Sequence, residues 1–149
     1  MRILFASDHA GFQTKEKLME DVKKLGYGVS DFGTSSEESV DYVDFGLQAA
    51  EAVSSGKFDR GVLICGSGIG MSITANKVKG IRAALACTPE MARLSREHND
   101  ANILCMGSRI NDYENILDMT RIWLETDFSG GRHLQRVEKI RALEDRLFK

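Results

Sequence analysis

Short apolar runs alternate along this chain with longer stretches in which apolar positions recur every three or four residues. The short runs have the length of buried strands, and the longer stretches have the period of amphipathic helices. The predicted strands are residues 2–7, 27–33, 60–65, 81–87 and 101–107. The predicted helices are residues 11–26, 42–56, 69–79, 89–98, 113–125 and 132–148.

This regular alternation of strand and helix predicts parallel strands joined by right-handed crossovers. The expected fold is α/β, a three-layer Rossmann-like sandwich around a five-stranded parallel sheet. No internal repeat, linker or low-complexity tract divides the sequence, so residues 1–149 are expected to form a single domain. In such folds, ligands bind at the carboxyl ends of the strands.

Composition narrows the class of protein. A formal net charge of -2 gives no basic excess, which argues against nucleic acid as the main partner. No apolar run approaches the ~20 residues that a membrane span needs, and the first residues show no signal-peptide pattern. The three cysteines are odd in number and lack CxxC spacing, which disfavours a disulfide framework or a structural zinc site. We therefore expect a cytoplasmic protein without a metal.

Residues able to do chemistry follow the ends of the predicted strands. The first strand runs into Asp8 and His9, the third ends at Cys65, and the fifth leads to Arg109. His98 and Asn99 lie in the connection before the fifth strand, and we expect them beside the same edge of the sheet. Two of the three histidines near an exposed thiol favour catalysis over a purely structural role.

The stretch "CGSGIG" at residues 65–70 joins a strand to a helix through a glycine-rich turn. It matches neither the dinucleotide fingerprint nor the P-loop. Two interpretations stay open, a tight packing turn and a loop whose backbone N–H groups face an anion. Only Cys65 is followed by such a turn, so Cys87 and Cys105 are interpreted as core residues.

A second basic cluster occurs at "GGRHLQR", where Arg132 and Arg136 are four residues apart and share one helix face. Paired guanidinium groups suit the oxygens of a phosphate. A solvated helix surface is the alternative. The preceding Gly130 and Gly131 favour the phosphate site, because they let the backbone place Arg132 close to a ligand.

Four motifs occur in order and together span most of the chain: "SDHAGF", "CGSGIGMSI", "EHNDAN" and "GGRH". In these motifs the sequence resembles the ribose-5-phosphate isomerase B family, which also includes galactose-6-phosphate and allose-6-phosphate isomerases. The resemblance implies an aldose–ketose isomerase of the pentose phosphate pathway. Such an enzyme interconverts ribose 5-phosphate and ribulose 5-phosphate through a cis-enediolate, without a cofactor. It also implies a homodimer, or a tetramer built from dimers, in which the C-terminal helix reaches a partner subunit and completes the site.

Read through this resemblance, Cys65 is the base that moves the proton, and His98 is the acid that assists ring opening. Backbone amides of the glycine loop stabilise the enediolate. The loop residues concerned are Gly66, Ser67, Gly68, Ile69 and Gly70. The implied substrate-binding residues are Asp8, His9, Asn99, Arg109, Arg132 and Arg136, with Tyr42 and His133 as further candidates.

Two positions depart from the family pattern. Ser67 stands where the family usually has threonine, and Val43 stands where it usually has proline. The smaller Ser67 keeps open an alternative substrate, a hexose 6-phosphate such as allose or galactose 6-phosphate. A more distant alternative is a non-catalytic flavodoxin-like module that binds phosphate through the glycine loop.

Overall fold

The computed structural model describes residues 1–148 and contains every predicted element. The strands are β1 (Arg2–Ser7), β2 (Gly28–Asp31), β3 (Arg60–Cys65), β4 (Ala83–Leu85) and β5 (Ile103–Gly107). The helices are α1 (Phe12–Lys24), α2 (Tyr42–Ser54), α3 (Ile69–Ala75), α4 (Pro89–Glu97), α5 (Tyr113–Glu125) and α6 (Arg132–Leu147). A short 3-10 turn, His9–Gly11, precedes α1.

All four strand pairs are parallel, and the sheet order is β2-β1-β3-β5-β4. The predicted five-stranded Rossmann-like sheet is therefore confirmed. The chain moves from β1 outward to β2 and then returns to the other side of β1 to form β3. The carboxyl ends of β1 and β3 thus flank the switch point where such sheets bind ligands.

Two apolar clusters form the core, one on each face of the sheet. One cluster joins the sheet to α1, α4 and α5 through residues such as Leu18, Ala92 and Trp123. The other joins it to α2 and α3 through residues such as Val53 and Met71. Helices on both faces produce the predicted three layers.

Helix α6 belongs to neither cluster, since only His133 and Val137 of this helix are buried. Its remaining large apolar side chains are exposed, namely Leu134, Ile140, Leu143 and Leu147. That the helix reaches a partner subunit stays a prediction.

Helix α3 and strand β4 are shorter than predicted, and Asn76 connects them. Its side chain accepts a hydrogen bond from the Ala83 N–H and donates one to the Ala83 carbonyl, each at 2.9 Å. The Asn76 side chain therefore pairs with the edge strand in place of another strand. Helix α3 ends there because the Asn76 N–H makes its last i-to-i−4 bond, to Ser72 at 3.1 Å, and the N–H groups of Lys77 and Val78 then bond only three residues back.

No helix within residues 1–148 combines the length and the apolar character that crossing a membrane would require.

Candidate active site

A cleft of about 580 Å³ opens at the carboxyl ends of β1, β3 and β5. This volume is in the range of small-molecule sites. Its lining includes most of the predicted residues at this edge: Asp8, Tyr42, Cys65, Gly66, Ser67, Ile69, Gly70 and Arg109. The register of the sheet explains the grouping, because Cys65 at the end of β3 lies opposite Gly107 at the end of β5.

Cys65 lies at the floor of this cleft and is 4% exposed. The backbone N–H of Gly68 donates to its Sγ at 3.1 Å. Gly68 has a φ of +80°, and a Cβ there would approach the Met106 carbonyl carbon to 2.8 Å. Only glycine adopts this φ at low cost and leaves room for the Met106 backbone. Gly68 is therefore the residue that can place its N–H group against the sulfur of Cys65.

The glycine loop presents further donors to the cleft. Within residues 1–148, the backbone N–H groups of Gly66 and Ser67 donate to no protein atom. The Ser67 hydroxyl accepts from the N–H of Ile69 at 3.2 Å, which fixes the turn. This bond uses only the hydroxyl, so the methyl group that threonine would add is not needed for it.

The loop after β5 supports the glycine loop from one side. Its backbone continues the sheet pairing, with the Ser108 N–H on the Cys65 carbonyl and the Arg109 N–H on the Gly66 carbonyl, each at 2.9 Å. The Arg109 side chain packs against Gly66, where a Cβ would come within 3.3 Å of it. A cation is thereby placed at the wall of the cleft.

Asp8, His9 and Tyr42 form the opposite wall and its support. Asp8 is buried, and its carboxylate accepts from the Gly11 N–H at 3.1 Å. His9 Nδ1 accepts from the Val40 N–H at 3.1 Å, which leaves Nε2 as the protonated nitrogen of the neutral ring. Tyr42 packs over Gly70.

The other predicted residues form a second cluster around the start of α6. The rings of His98 and His133 stack with centroids 4.1 Å apart. Burial lowers the pKa of His133, and so do the neighbouring His98, Arg132 and Arg136, while Glu97 opposes them. The cluster is anchored by the Ser129 N–H, which donates to the Glu97 carbonyl at 3.0 Å.

The expectation that His98 and Asn99 share an edge with Cys65 is wrong within one chain. Helix α4 starts after the carboxyl end of β4 and returns across the sheet, so His98 and Asn99 lie at the amino end of β5. Arg82, just before β4, donates from Nε to the Asn99 carbonyl at 3.0 Å. The element order carried this signal, since in an alternating α/β chain the residues that follow a helix lie at the amino edge.

The other two cysteines lie outside the cleft lining. Cys105 is fully buried, and burial together with the neighbouring Cys65 raises the pKa of its thiol well above the usual range. Cys87 is only partly buried, so the interpretation as a core residue holds less completely for it. No group of side chains within residues 1–148 could hold a metal ion.

The sequence analysis missed an apolar rim on the cleft, formed by Ile73 and Ile110 beside Ile69. All three side chains are at least half exposed. The spacing of Ile69 and Ile73, four residues apart on a short helix that begins in the glycine loop, could have indicated it.

The chain is similar to known proteins over nearly its whole length. Residues 3–140 match the model of the Ribose/Galactose Isomerase family. Ribose-5-phosphate isomerase B of Escherichia coli is 46% identical, and the match covers 97% of each chain. The structure of Clostridium thermocellum ribose-5-phosphate isomerase B is similar with a TM-score of 0.96 and 54% identity, covering 98% of this chain and 99% of the other. The corresponding Mycoplasma genitalium structure, which contains bound ribulose-5-phosphate, has a TM-score of 0.93 and 38% identity, covering 97% of this chain and 96% of the other.

Proposed function

The chain belongs to the ribose/galactose isomerase family, and from this premise we propose that it interconverts D-ribose 5-phosphate and D-ribulose 5-phosphate. It is a sugar-phosphate isomerase. The choice of the pentose is supported by the relatives that carry the name ribose-5-phosphate isomerase B and by the neighbouring structure that contains ribulose-5-phosphate. The reaction would belong to the non-oxidative branch of the pentose phosphate pathway.

The proton transfer is assigned to Cys65. Its thiolate removes the proton from C2 of the open-chain aldose, the C2–H electron pair forms the C1–C2 double bond, and the carbonyl π electrons move onto O1, which gives a cis-enediolate. The hydroxyl proton of O2 passes to O1. The same sulfur then returns its proton to C1, while the electron pair on O2 forms the carbonyl of the C2 ketone. The observation that carries this assignment is the position of Sγ at the cleft floor, where the Gly68 N–H donates to it at 3.1 Å.

We assign to the glycine loop the stabilisation of the negative charge that develops on the enediolate. The N–H groups of Gly66 and Ser67, free of protein acceptors within residues 1–148, are suitable donors to the substrate oxygens. Each well-placed donor of this kind stabilises a transition state by about 2.7–4 kcal/mol. The carbon-bound proton moves from C2 to C1 and no electron leaves the sugar, so the reaction needs no external oxidant.

The remaining groups are assigned to a second copy of the chain. His98, proposed to assist ring opening, and Arg132 and Arg136, proposed to bind phosphate, lie at the other edge of the sheet from Cys65. A homodimer in which α6 of one copy crosses to the cleft of the other would join the two halves. The exposed Ile140, Leu143 and Leu147 on α6 support such an interface.

We also propose that the enzyme acts in the cytoplasm. All three cysteines are free, and the buried Cys65 is needed as a thiolate in the reaction proposed above. Reducing compartments preserve free thiols, whereas oxidising ones favour disulfides.

The direct test measures ketose formation from ribose 5-phosphate, with a chelator present, by the wild-type chain and its Cys65→Ala variant. The substitution should lower kcat by about 10²–10⁴-fold or more, because it removes the base. Cys87→Ala is the matched control and should stay near wild-type activity, since Cys87 lies outside the cleft lining. An active Cys65→Ala variant would rule out the cysteine as the base.

The same assay includes allose 6-phosphate and galactose 6-phosphate, because Ser67 leaves the cleft wall one methyl group smaller than the usual threonine would. Turnover of only a hexose phosphate would keep the mechanism and change the substrate. A folded protein that turns over none of the three would instead support a phosphate-binding module.

A further inference from the structure

We propose that Asp100 is a positioning residue whose carboxylate, held by Arg82 and Arg96, fixes the turn that presents His98 and Asn99. The proposal rests on the proposed function, in which His98 assists ring opening; Asn99 beside it is the substrate-binding residue that the family resemblance implies. Asp100 itself is no part of either the cleft lining or the histidine stack.

Arg82 and Arg96 together form a clamp on the Asp100 carboxylate, and Arg96 supplies its first half. It lies one helical turn before Asp100, and its Nη1 donates to Asp100 Oδ1 at 2.9 Å. The arginine is itself only 5% exposed and is held by the carbonyls of Ala101 at 2.6 Å and Thr126 at 3.1 Å. A guanidinium fixed by three partners gives the carboxylate a rigid anchor.

Arg82 forms the second half from the start of β4. Its Nη2 lies 3.4 Å from Asp100 Oδ2 and donates to the Asp100 carbonyl at 2.9 Å. Its Nε donates to the carbonyl of Asn99 at 3.0 Å. The backbone on either side of the Asn99–Asp100 peptide is therefore tied to the sheet through one side chain.

The backbone conformation at Asp100 is one that does not by itself require a carboxylate. Its φ of +48° makes it the one non-glycine residue with a positive φ in residues 1–148. After a helix this conformation usually belongs to glycine or asparagine. Either of these would make the turn at lower or equal backbone cost, but neither would supply a charge to Arg82 and Arg96.

The clamp also reaches α6, which carries the other proposed phosphate ligands. Arg141 Nη2 lies 4.0 Å from Asp100 Oδ2. One carboxylate thus faces three guanidinium groups, one from just before β4, one from α4 and one from α6. Without it, these cations would repel one another around the turn, and His98 would lose its fixed place against His133.

The test uses two substitutions that separate the charge from the backbone conformation. Asp100→Gly allows the positive φ, and Asp100→Asn keeps both the conformation and the side-chain size, while both remove the charge. Each should lower kcat/KM for ribose 5-phosphate by about tenfold to 10²-fold, the scale of a displaced catalytic group. The control is Asp118→Asn, which removes an exposed carboxylate on α5 whose only partner among residues 1–148 is Arg121, and it should leave activity unchanged. Wild-type kcat/KM in either Asp100 variant would overturn the proposal.

A second readout does not depend on activity. The chain has three histidines, so imidazole NMR signals can be assigned with one His→Gln variant for each. Asp100→Asn should shift the signals of His98 and His133 and leave that of His9, at the other edge of the sheet, in place. Unchanged His98 and His133 signals would overturn the clamp. If the wild-type chain turns over no sugar phosphate, the proposed function fails and this spectrum still decides the role of Asp100.

Discussion

At the scale of single residues, Gly70 shows how little room the cleft wall leaves. A Cβ at this position would overlap the ring of Tyr42, which packs directly over the glycine loop. Tyr42 is 37% exposed, so the ring has space to move toward solvent. The position of the ring over the loop therefore depends on the absence of a side chain at residue 70.

Gly70→Ala should lower kcat/KM by about tenfold, because it displaces Tyr42 from the cleft wall. Folding should be preserved, since alanine is a better helix former than glycine and the ring can swing outward. Steady-state kinetics and thermal unfolding test the two statements. Gly28→Ala serves as the control, because a Cβ there meets nothing within 4 Å. Unchanged kinetics of Gly70→Ala would mean that the position of Tyr42 does not affect the site.

His133, in the second cluster, is expected to make the stability of the folded protein depend on pH. Its pKa is lowered in the folded protein by burial and by the nearby His98, Arg132 and Arg136, against the opposing Glu97. The unfolded chain therefore binds the proton more readily, and stability falls as the pH drops through the ordinary histidine value of about 6.5.

His133→Gln should flatten this fall in the free energy of unfolding between about pH 7.5 and about pH 5.5. Urea denaturation of the variant and the wild type at both pH values measures the difference. Carboxylates contribute equally to both proteins and cancel in the comparison. Parallel pH profiles would show that His133 titrates alike in the folded and unfolded states.

At the scale of elements, the start of α2 shows how the chain accommodates valine where its family usually has proline. The Asp41 carboxylate caps the helix by accepting from the Val43 N–H at 3.0 Å. Proline has no N–H group, so this hydrogen bond exists only because residue 43 is not proline. The cap holds the first turn of the helix, which carries Tyr42 to the cleft.

A double-mutant cycle tests this compensation. Asp41→Ala should lower the free energy of unfolding by about 1 kcal/mol in the natural sequence, the usual value of an N-cap. In a Val43→Pro background the same substitution should cost clearly less, because the donor is already gone. Urea denaturation of the four proteins gives the coupling energy. Equal costs in both backgrounds would show that the Asp41–Val43 bond contributes nothing.

The bounds of strands and helices were predictable where the hydrophobic pattern was clear. Buried runs predicted β1 and β3 to the residue, and the apolar period predicted α5 to the residue. Strand β4 and helix α3 are shorter than predicted, and the Asn76 side chain at the end of α3 bonds Ala83 of β4. A hydrogen bond between a helix end and a strand edge leaves no periodic pattern in the sequence.

At the scale of the whole molecule, the candidate site was predictable in its residues but not in its arrangement. The glycine loop and Asp8 were placed correctly, since residues after parallel strands meet at one edge. His98 and Asn99 lie at the edge opposite the predicted one, because α4 starts at the carboxyl edge of the sheet and returns to the amino edge before the chain reaches them. In the proposed homodimer the two halves are joined by an association between chains, and hydrophobic periodicity in one chain does not specify such an association.

The most direct test of a site shared between two copies mixes two inactive proteins. Cys65→Ala and His98→Ala are each expected to be inactive alone, since each removes one proposed catalytic group from both sites of a dimer. Subunits of the two variants are exchanged, and native mass spectrometry verifies that mixed dimers form. Cys65→Ala mixed with Cys65→Ser is the control and should stay inactive.

A shared site predicts that the mixture regains about a quarter of wild-type isomerase activity. In random mixing, half of the dimers are mixed, and each mixed dimer carries one intact site of two. A mixture that contains mixed dimers and stays as inactive as its parents would contradict a site built from Cys65 of one copy and His98 of the other.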